Sequence, residues 1–342
     1  MTIYFAGLGG VSHGDKPIII AEACENHLGD IEKAIEMIGE AKAAGCEVIK
    51  FQHHIRDKEM VKGLKMSNNF DEDLYDFLGR CSLNIDQHIL LSKECDRVGI
   101  NYLCTPFCKE AAEELIDNNL CETMKIGSGE MQDFRLLNYL SEKKINLILS
   151  TGMSTINEIE ETYEFLKSRN ASFSLMHCVS EYPPIYDDVK LDTISFLRKK
   201  FPDTCIGFSC HTPSIYSAIS AATLGVEFIE KHVTLDPNLN CPDKDVSLTF
   251  DQIKNLSEAV LCVYKSRGIR NEVLEKEKEI RSWARRIIVA AKEIKKGEVF
   301  TEDNLTTLRA GEGLSSKYFF KVINKHSKAN IAVGSKLRES FF

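Results

Sequence analysis

Gly207-Phe-Ser-Cys-His211 and Glu230-Lys-His232 each close a short apolar run, Thr204–Gly207 and Glu227–Glu230, and the stretch between them, Ser214–Leu224, carries apolar residues at helical spacing. Strand, helix, strand, with a histidine just past each strand, reads as part of a parallel α/β array. Residues beyond the carboxyl end of such strands point into the ligand crevice, so the two imidazoles are placed to share one metal ion. The plainer reading is a pair of hydrogen-bonded structural histidines.

Working outward, the same unit recurs along the chain. Ile18-Ile-Ile-Ala-Glu22 is a run of β-branched residues, and Asp30 opens a helix with Ile31, Ala34, Ile35 and Ile38 on one face. Next come strand Glu47–Gln52 with helix Asp86–Val98, strand Asn101–Cys104 with helix Lys109–Asp117, and strand Thr123–Ile126 with helix Phe134–Leu140. Strand Asn146–Ser150 with helix Thr155–Ser168, and strand Ser172–His177 with helix Leu191–Lys200, lead to the opening pair, after which helix Asp251–Arg267 ends the series. Eight alternations over about 250 residues predict an α/β fold of the (β/α)8 TIM-barrel type, since a doubly wound sheet uses about five or six strands.

Three stretches stand outside the repeat. Ile55–Leu83, with Gly63, Asn68 and Asn69, shows no clean period and is expected to pass over the barrel mouth. Gly7-Leu-Gly-Gly10 precedes the first strand and is read as a turn rather than a nucleotide loop. Past Gly268 the charged run Asn271–Glu279 suggests a solvated linker helix, and from Arg286 short apolar segments broken by Gly311, Gly313 and Gly334 suggest a compact, mostly β domain. The expected division is residues 1–268 for the barrel, 269–285 for the linker helix and 286–342 for the small domain.

The 342 residues, 43% hydrophobic and 27% charged, suit a soluble globular protein. The first twenty hold no apolar run behind a basic start and no stretch reaches membrane-span length, so a cytoplasmic protein with no membrane partner is expected. None of the twelve cysteines is spaced Cys-x-x-Cys, and Cys46, Cys95, Cys121 and Cys262 sit in apolar segments, which favours reduced, buried thiols. The net charge of −8 excludes a nucleic-acid footprint. Residues 271–342 nevertheless hold 15 Lys and Arg against 10 Asp and Glu, leaving 28 against 41 elsewhere. A basic tail on an acidic body suits two surfaces that meet, within one chain or across a dimer.

At the strand ends, Lys50, Thr105, Lys125, Ser128, Ser150 and Ser209 are donors, and the backbone of Gly127-Ser-Gly129 permits close approach of an anion, a set suited to a small phosphorylated acid. Glu22, Glu130, His211 and His232 suit acid–base work and a metal.

Taken in order, Ile20-Ala-Glu22 with Asn26-His27-x-Gly29, Lys50-x-Gln52, Thr105-Pro-Phe107, Lys125-Ile-Gly-Ser-Gly-Glu130, Ser150-Thr-Gly-Met153, His177-Cys with Tyr182-Pro, Gly207-x-Ser209-x-His211-Thr, Glu230-Lys-His232 and Pro242-Asp243 resemble the sialic (nonulosonic) acid synthases. Lys295-Lys-Gly-Glu298 and Arg309-Ala-Gly-Glu-Gly313 are similar to their C-terminal antifreeze-like (SAF) domain, a β-clip. The resemblance implies condensation of phosphoenolpyruvate with an N-acylated aminohexose, N-acetylmannosamine or a diacetamido-trideoxyhexose, to a nine-carbon 2-keto acid and phosphate. It implies that His211 and His232 hold a divalent ion, commonly manganese, with magnesium or cobalt as alternatives. Lys50, Thr105, Lys125, Ser128, Ser150, Ser180 and Ser209 would bind phosphoenolpyruvate. Gln52, Glu130, Tyr182 and Asp243 would contact the open-chain sugar, and Arg309 would reach its N-acyl group in a domain-swapped homodimer.

The implied chemistry is attack of the enol carbon on the sugar aldehyde, with Glu22 stabilising the positive charge that develops at the former enol-ether carbon. Water then adds and phosphate leaves with carbon–oxygen cleavage. Departures from the family pattern stand at His53, Cys104, Cys210, Ser180, Lys244 and Ala310. Those at His53, Ser180 and Lys244 are expected at the sugar end, and Cys210, beside His211, is the one expected to bear on metal preference. A related phosphoenolpyruvate-dependent synthase with another aldehyde acceptor, such as a sugar phosphate, would share the barrel and lysines but not the tail. A non-catalytic saccharide-binding or coat-assembly protein would have no need of intact Glu22, Lys50, Lys125, His211 and His232.

Overall fold

The structure, a computed structural model, describes residues 3–5, 9–64 and 72–342, so Gly7, Asn68 and Asn69 lie outside the described residues. The chain divides into two compact units, Met1–Arg267 and Gly268–Phe342.

In the first unit a hairpin of β1 (Ile3–Phe5) and β2 (Gly9–Val11) precedes eight parallel strands. Gly9 and Gly10 therefore belong to a strand, where the sequence suggested only a turn. The barrel strands are β3 (Ile18–Glu22), β4 (Val48–His53), β5 (Asn101–Pro106), β6 (Thr123–Ile126), β7 (Asn146–Ser150), β8 (Phe173–Cys178), β9 (Ile206–Cys210) and β10 (Phe228–Thr234). Because β10 pairs with both β9 and β3, the sheet closes into a barrel, and a two-residue β11 (Leu248–Thr249) extends β10. The outer layer comprises α1 (Ile31–Ala43), short α2 (Arg56–Glu59) and α3 (Leu74–Cys81), α4 (Ile85–Val98), α5 (Lys109–Asp117), α6 (Phe134–Glu142), α7 (Ile156–Ser168), α8 (Asp192–Lys200), α9 (Tyr216–Thr223) and α10 (Phe250–Ser266). Side-chain caps define several starts: Asp30 accepts from the Glu32 and Lys33 amides, and Asn84, Thr155 and Thr249 form capping boxes, each cap worth about 1 kcal/mol.

The two-residue period of a strand explains why this barrel has one chemical mouth. Ile20, Val48, Leu103, Ile148, Met176 and Phe228 point inward as one apolar layer, closed at the far end by Val11 of the hairpin. Two residues further along the same faces stand Glu22, Lys50, Thr105, Ser150, Cys178 and Glu230. The intervening residues, among them Ala21, Ile49, Phe51, Cys104, Phe208 and Cys210, pack against the helices, each fully buried Ile or Phe contributing roughly 1.5–3 kcal/mol.

Ile55–Leu83 is less irregular than its sequence suggested. Leu74, Phe77, Leu78 and Cys81 follow helical spacing, and in α3 the last three are buried against Leu28, Met60 and Leu74. The loop after β3 meets this excursion at Gly29, whose φ of +78° favours glycine and where a Cβ would lie 2.8 Å from the Arg80 carbonyl.

The second unit begins with α11 (Glu275–Ala284), so the first residues of the charged run precede the helix rather than join it. Its core of Ile288, Ile294, Phe300, Leu305, Leu314, Ile331 and Leu337 is held by an antiparallel pair, β12 (Ile287–Ala290) and β13 (Leu305–Leu308), with isolated bridges such as Ile294 to Ile331. All twelve cysteines are free thiols; Cys262, expected to be buried, is exposed on α10. Among the described residues no helix is long and apolar enough to cross a membrane.

Candidate active site

The polar layer at the mouth is a single network of buried charges. Lys50 Nζ lies 2.8 Å from Glu230 and 3.2 Å from Glu22. Lys125 Nζ lies 3.7 Å from Glu230 and donates to Ser150 Oγ at 2.6 Å, while Ser209 donates to Glu230 at 2.9 Å. Register produces these contacts: Glu22 is opposite Lys50, and Ser209 opposite Glu230, in adjacent strands. Glu230, absent from the sequence-derived set of site residues, is thus the centre of the array. Its position two residues before His232, on the same face of β10, was the available signal.

Electrostatics separates the two carboxylates. Burial pushes Glu22 up to about 7, with Lys50 opposing the shift and like-charged Glu230 adding to it. Glu230 is also penalised by burial, but Lys125 and Lys50 hold it well below the usual carboxylate range. Burial lowers Lys125, whereas for Lys50 the burial penalty is outweighed by Glu22 and Glu230 and the ammonium is reinforced. Two like-charged acids sharing two lysines leave Glu22 as the group that changes charge near neutrality, and the lysines as fixed cations facing the mouth.

Beside the lysines is a cradle of hydroxyls and backbone. Ser128 Oγ accepts from the Gly152 amide at 3.1 Å, and a Cβ on Gly152 would strike the Ser180 hydroxyl and lie 2.6 Å from Ser128 Oγ. The Thr105 hydroxyl is buried with no hydrogen-bond partner among the described residues. A buried hydroxyl without a protein acceptor, with further hydroxyls and two lysines at the same mouth, suits the phosphate of a small anion. Gly152→Ala is therefore expected to raise the KM for a phosphorylated substrate about tenfold or more, the worth of a hydrogen bond to a charged group, with thermal stability changed little. Steady-state kinetics with a melting curve checks this.

At the same mouth the opening histidines come together, with ring centroids 5.2 Å apart, the Tyr182 ring stacked on His211 at 4.2 Å and Cys178 Sγ 3.9 Å from His211 Nδ1. His211 Nδ1 donates to the Val179 carbonyl at 2.8 Å, so in the neutral ring Nε2 carries the lone pair. The buried Lys231 reaches the Thr212 carbonyl and fixes the loop just past His211. His232 Nδ1 is buried without a partner, 3.7 Å from Asp243 Oδ2. Cys24 donates to the same oxygen at 2.7 Å, and Cys24, His232 and Asp243 each offer a donor atom within 4.8 Å of the others. Burial foremost, with the positive neighbours His211 and Lys50, pushes His232 well below its ordinary value, so it is a neutral imidazole. An orphaned imidazole nitrogen beside a carboxylate, a thiol and a second histidine fits a divalent cation.

Gln52 connects the two halves, donating to Glu22 at 2.7 Å and to Cys24 at 3.1 Å. Glu130 lies by Gly127 with Oε2 buried and unpartnered among the described residues, and burial raises it to about 7. All the sequence-derived site residues except Arg309 thus lie in the barrel unit; Arg309 is in the second unit, its guanidinium 5.8 Å from the Trp283 ring.

Two expectations are overturned. His53 follows the parity of Phe51 and turns to the helix layer, 2.8 Å from Glu114 and edge-on to His88, away from any sugar end. Cys210 also faces the helices, near Thr212 and Lys231, so it cannot touch an ion held by His211. Cys24 and Cys178 are cysteines that do face the site, and Cys24 and the buried cluster of His54 with Glu59 and Glu25 were not singled out in the sequence.

Comparison with known proteins agrees with this architecture. A model of the NeuB family matches residues 37–272 and one of the SAF domain matches residues 285–342. An N,N'-diacetyllegionaminic acid synthase of Campylobacter jejuni is 34% identical over 339 residues, covering 95% of this chain and 99% of that protein. A pseudaminic acid synthase of Campylobacter jejuni is 31% identical over 346 residues, covering 98% of this chain and 99% of the other. The crystal structure of an N-acetylneuraminic acid synthetase from Leptospira borgpetersenii superposes with a TM-score of 0.73 at 28% identity, covering 82% of this chain and 95% of that one.

Proposed function

This chain belongs to the NeuB family, and from that premise we propose that it condenses phosphoenolpyruvate with the open-chain aldehyde of an N-acylated aminohexose and water, giving a nine-carbon nonulosonic acid and phosphate. The observation that carries the reading is the buried array Glu22, Lys50, Glu230, Lys125 and Ser150 next to the Ser128, Gly152 and Ser180 cradle. It supplies two fixed cations and a set of hydroxyls for a carboxylate-bearing phosphate ester, and one carboxylate positioned to be an anion on demand.

In this reading Lys50, Lys125, Thr105, Ser128, Ser150, Ser180 and Ser209 hold phosphoenolpyruvate. Gln52, Glu130, Tyr182 and Asp243 orient the sugar, either N-acetylmannosamine or a diacetamido-trideoxyhexose. Arg309 of the partner subunit reaches the N-acyl group, in a domain-swapped homodimer. Glu22, ionised, faces the former enol-ether carbon when the enol has attacked the aldehyde and that carbon is positive. Its position 3.2 Å from Lys50 supports this, because the same lysine anchors the substrate's anionic end. Glu130, held near neutrality by burial, exchanges a proton with the sugar oxygens. A divalent ion at His211 and His232, proposed as manganese with magnesium or cobalt as substitutes, supplies a Lewis acid for the aldehyde oxygen. The free thiols support a reducing, cytoplasmic setting.

Phosphate release is the test. It is expected with N-acetylmannosamine or its diacetylated deoxy analogues, and not with simple sugar phosphates or without acceptor. Release with sugar phosphates alone would replace the acylated sugar by the alternative acceptor, and no release with any of them would overturn the catalytic reading. Excess chelator is expected to abolish release and added manganese to restore it; full activity in chelator would remove the ion from the reaction.

A further inference from the structure

Cys24 lies two residues past the end of β3, in the left-handed region with φ of +46°, where a glycine is the unstrained choice. A side chain kept at such a position next to a site invites the question of what that side chain does. Its sulfur is buried and has two neighbours of opposite polarity. The S–H is directed at Asp243 Oδ2, 2.7 Å away, and the sulfur accepts an N–H from Gln52 Nε2 at 3.1 Å. Burial and the carboxylates Asp243, Glu22 and Glu25 keep this thiol protonated while no cation is bound; a cation among these groups would offset that charge, and the Gln52 N–H is placed to orient and stabilise the thiolate that would then form.

A second, independent observation points to a ligand there. His232 is 5% exposed, and its Nδ1 has no hydrogen-bond partner among the described residues although it faces the same carboxylate oxygen. Burying an imidazole nitrogen unpaired is unfavourable, a cost that a cation at that point would offset. Three elements converge on this point: the loop after β3 with Cys24, β10 with His232, and the loop after β10 with Asp243, their donor atoms within 4.8 Å of one another.

We propose that Cys24 is a sulfur ligand of the divalent ion held at His211 and His232, so that this site prefers thiophilic ions such as cobalt and zinc to magnesium. The proposal rests on the ion site of the preceding section and adds a ligand and a selectivity to it. Two imidazoles and a carboxylate alone accept most divalent ions in order of their general affinity, whereas a thiolate discriminates strongly against the hard magnesium ion. On binding, the thiol proton is lost to solvent, with Asp243 its first acceptor, and the sulfur–metal bond takes its place.

The test is equilibrium metal binding by the full chain after removal of metal with chelator. One equivalent of cobalt(II) is expected to give a near-ultraviolet thiolate-to-cobalt charge-transfer band, lost in both Cys24→Ser and Cys24→Gly. The glycine variant suits the backbone at this position, so it controls for a folding defect in the serine variant. Zinc affinity in competition with a chromophoric chelator should fall by at least about 10–100-fold in either variant, the loss seen even for partners outside the ligand set. Magnesium binding should be nearly unchanged. A cobalt protein without the band, a band that persists in both variants, or unchanged zinc affinity would each overturn the assignment. Because none of these readouts needs turnover, a protein that shows the band and releases no phosphate would remove the proposed reaction and leave the ligand standing.

Discussion

Lys50→Met is expected to abolish measurable phosphate release and to destabilise the barrel by about 3–5 kcal/mol at neutral pH, the cost of stranding a buried charge whose partner is removed. Lys50 holds two acids at once, Glu230 at 2.8 Å and Glu22 at 3.2 Å, all three nearly inaccessible to water. Without the ammonium, Lys125 at 3.7 Å is the one remaining cation of the array near Glu230, and Glu22 keeps only the Gln52 amide. The damage has a pH signature of known sign. In the wild type, Glu230 is held well below its ordinary value, so its contribution to stability is present above the unfolded carboxylate pKa and fades only as the pH falls through the depressed one. In the variant both acids lose their counter-charge and rise, so the folded state takes up protons more readily than the unfolded state and is relatively stabilised as the pH drops. The stability gap between wild type and variant should therefore narrow from pH 8 to pH 5. Denaturant unfolding at the two pH values measures it, and a gap that stays constant or widens would show that Lys50 does not carry the charge balance of the mouth.

Much of this was legible in the residues because two periodicities carry it. The alternation of β-branched runs with helical stretches located all eight strand–helix units, with ends displaced by a few residues where a strand runs on into the loop, as at β5 and β9. The inward face of each strand could be read by counting in twos, which places Glu22, Lys50, Thr105, Ser150 and Glu230 in one layer. The same count, applied to His53 and Cys210, would have put both against the helices, since they share parity with Phe51 and Phe208. What sequence periodicity does not encode is the path of a loop. Cys24 and Asp243 are 219 residues apart and meet only because the turns after β3 and β10 fold back over adjacent strands. The helix over Leu74–Cys81 is short enough that four apolar residues at the right spacing are easily passed over amid the charges around them. Magnitudes were equally hidden: that Glu22 and Glu230 differ so widely in acidity depends on how two lysines divide between them in a buried layer.

That difference leads to the second large effect. Glu22→Gln keeps the volume of the side chain and an acceptor for Lys50 while removing the charge, so the fold and phosphoenolpyruvate affinity should survive, with affinity equal or tighter because an anion has been removed from beside an anionic substrate. If the carboxylate stabilises positive charge only as the reaction proceeds, the loss falls on turnover, and kcat should drop by about 10²–10³-fold, as for other preorganised electrostatic groups. The wild type carries the matching pH dependence. Burial lifts Glu22 to about 7, so below that pH a growing fraction is neutral and cannot serve as the anion, and kcat/KM for phosphoenolpyruvate should fall tenfold per pH unit on the acid side. Glu22→Gln has no such group, and its residual activity should lose that limb. Glu130, lifted to about 7 by the same burial, is a second carboxylate able to produce an acid limb, and Glu130→Gln separates the two. A limb that persists in Glu22→Gln and vanishes in Glu130→Gln would move the essential anion from the lysine array to the sugar side of the mouth, and with it the assignment of which carboxylate faces the reacting carbon.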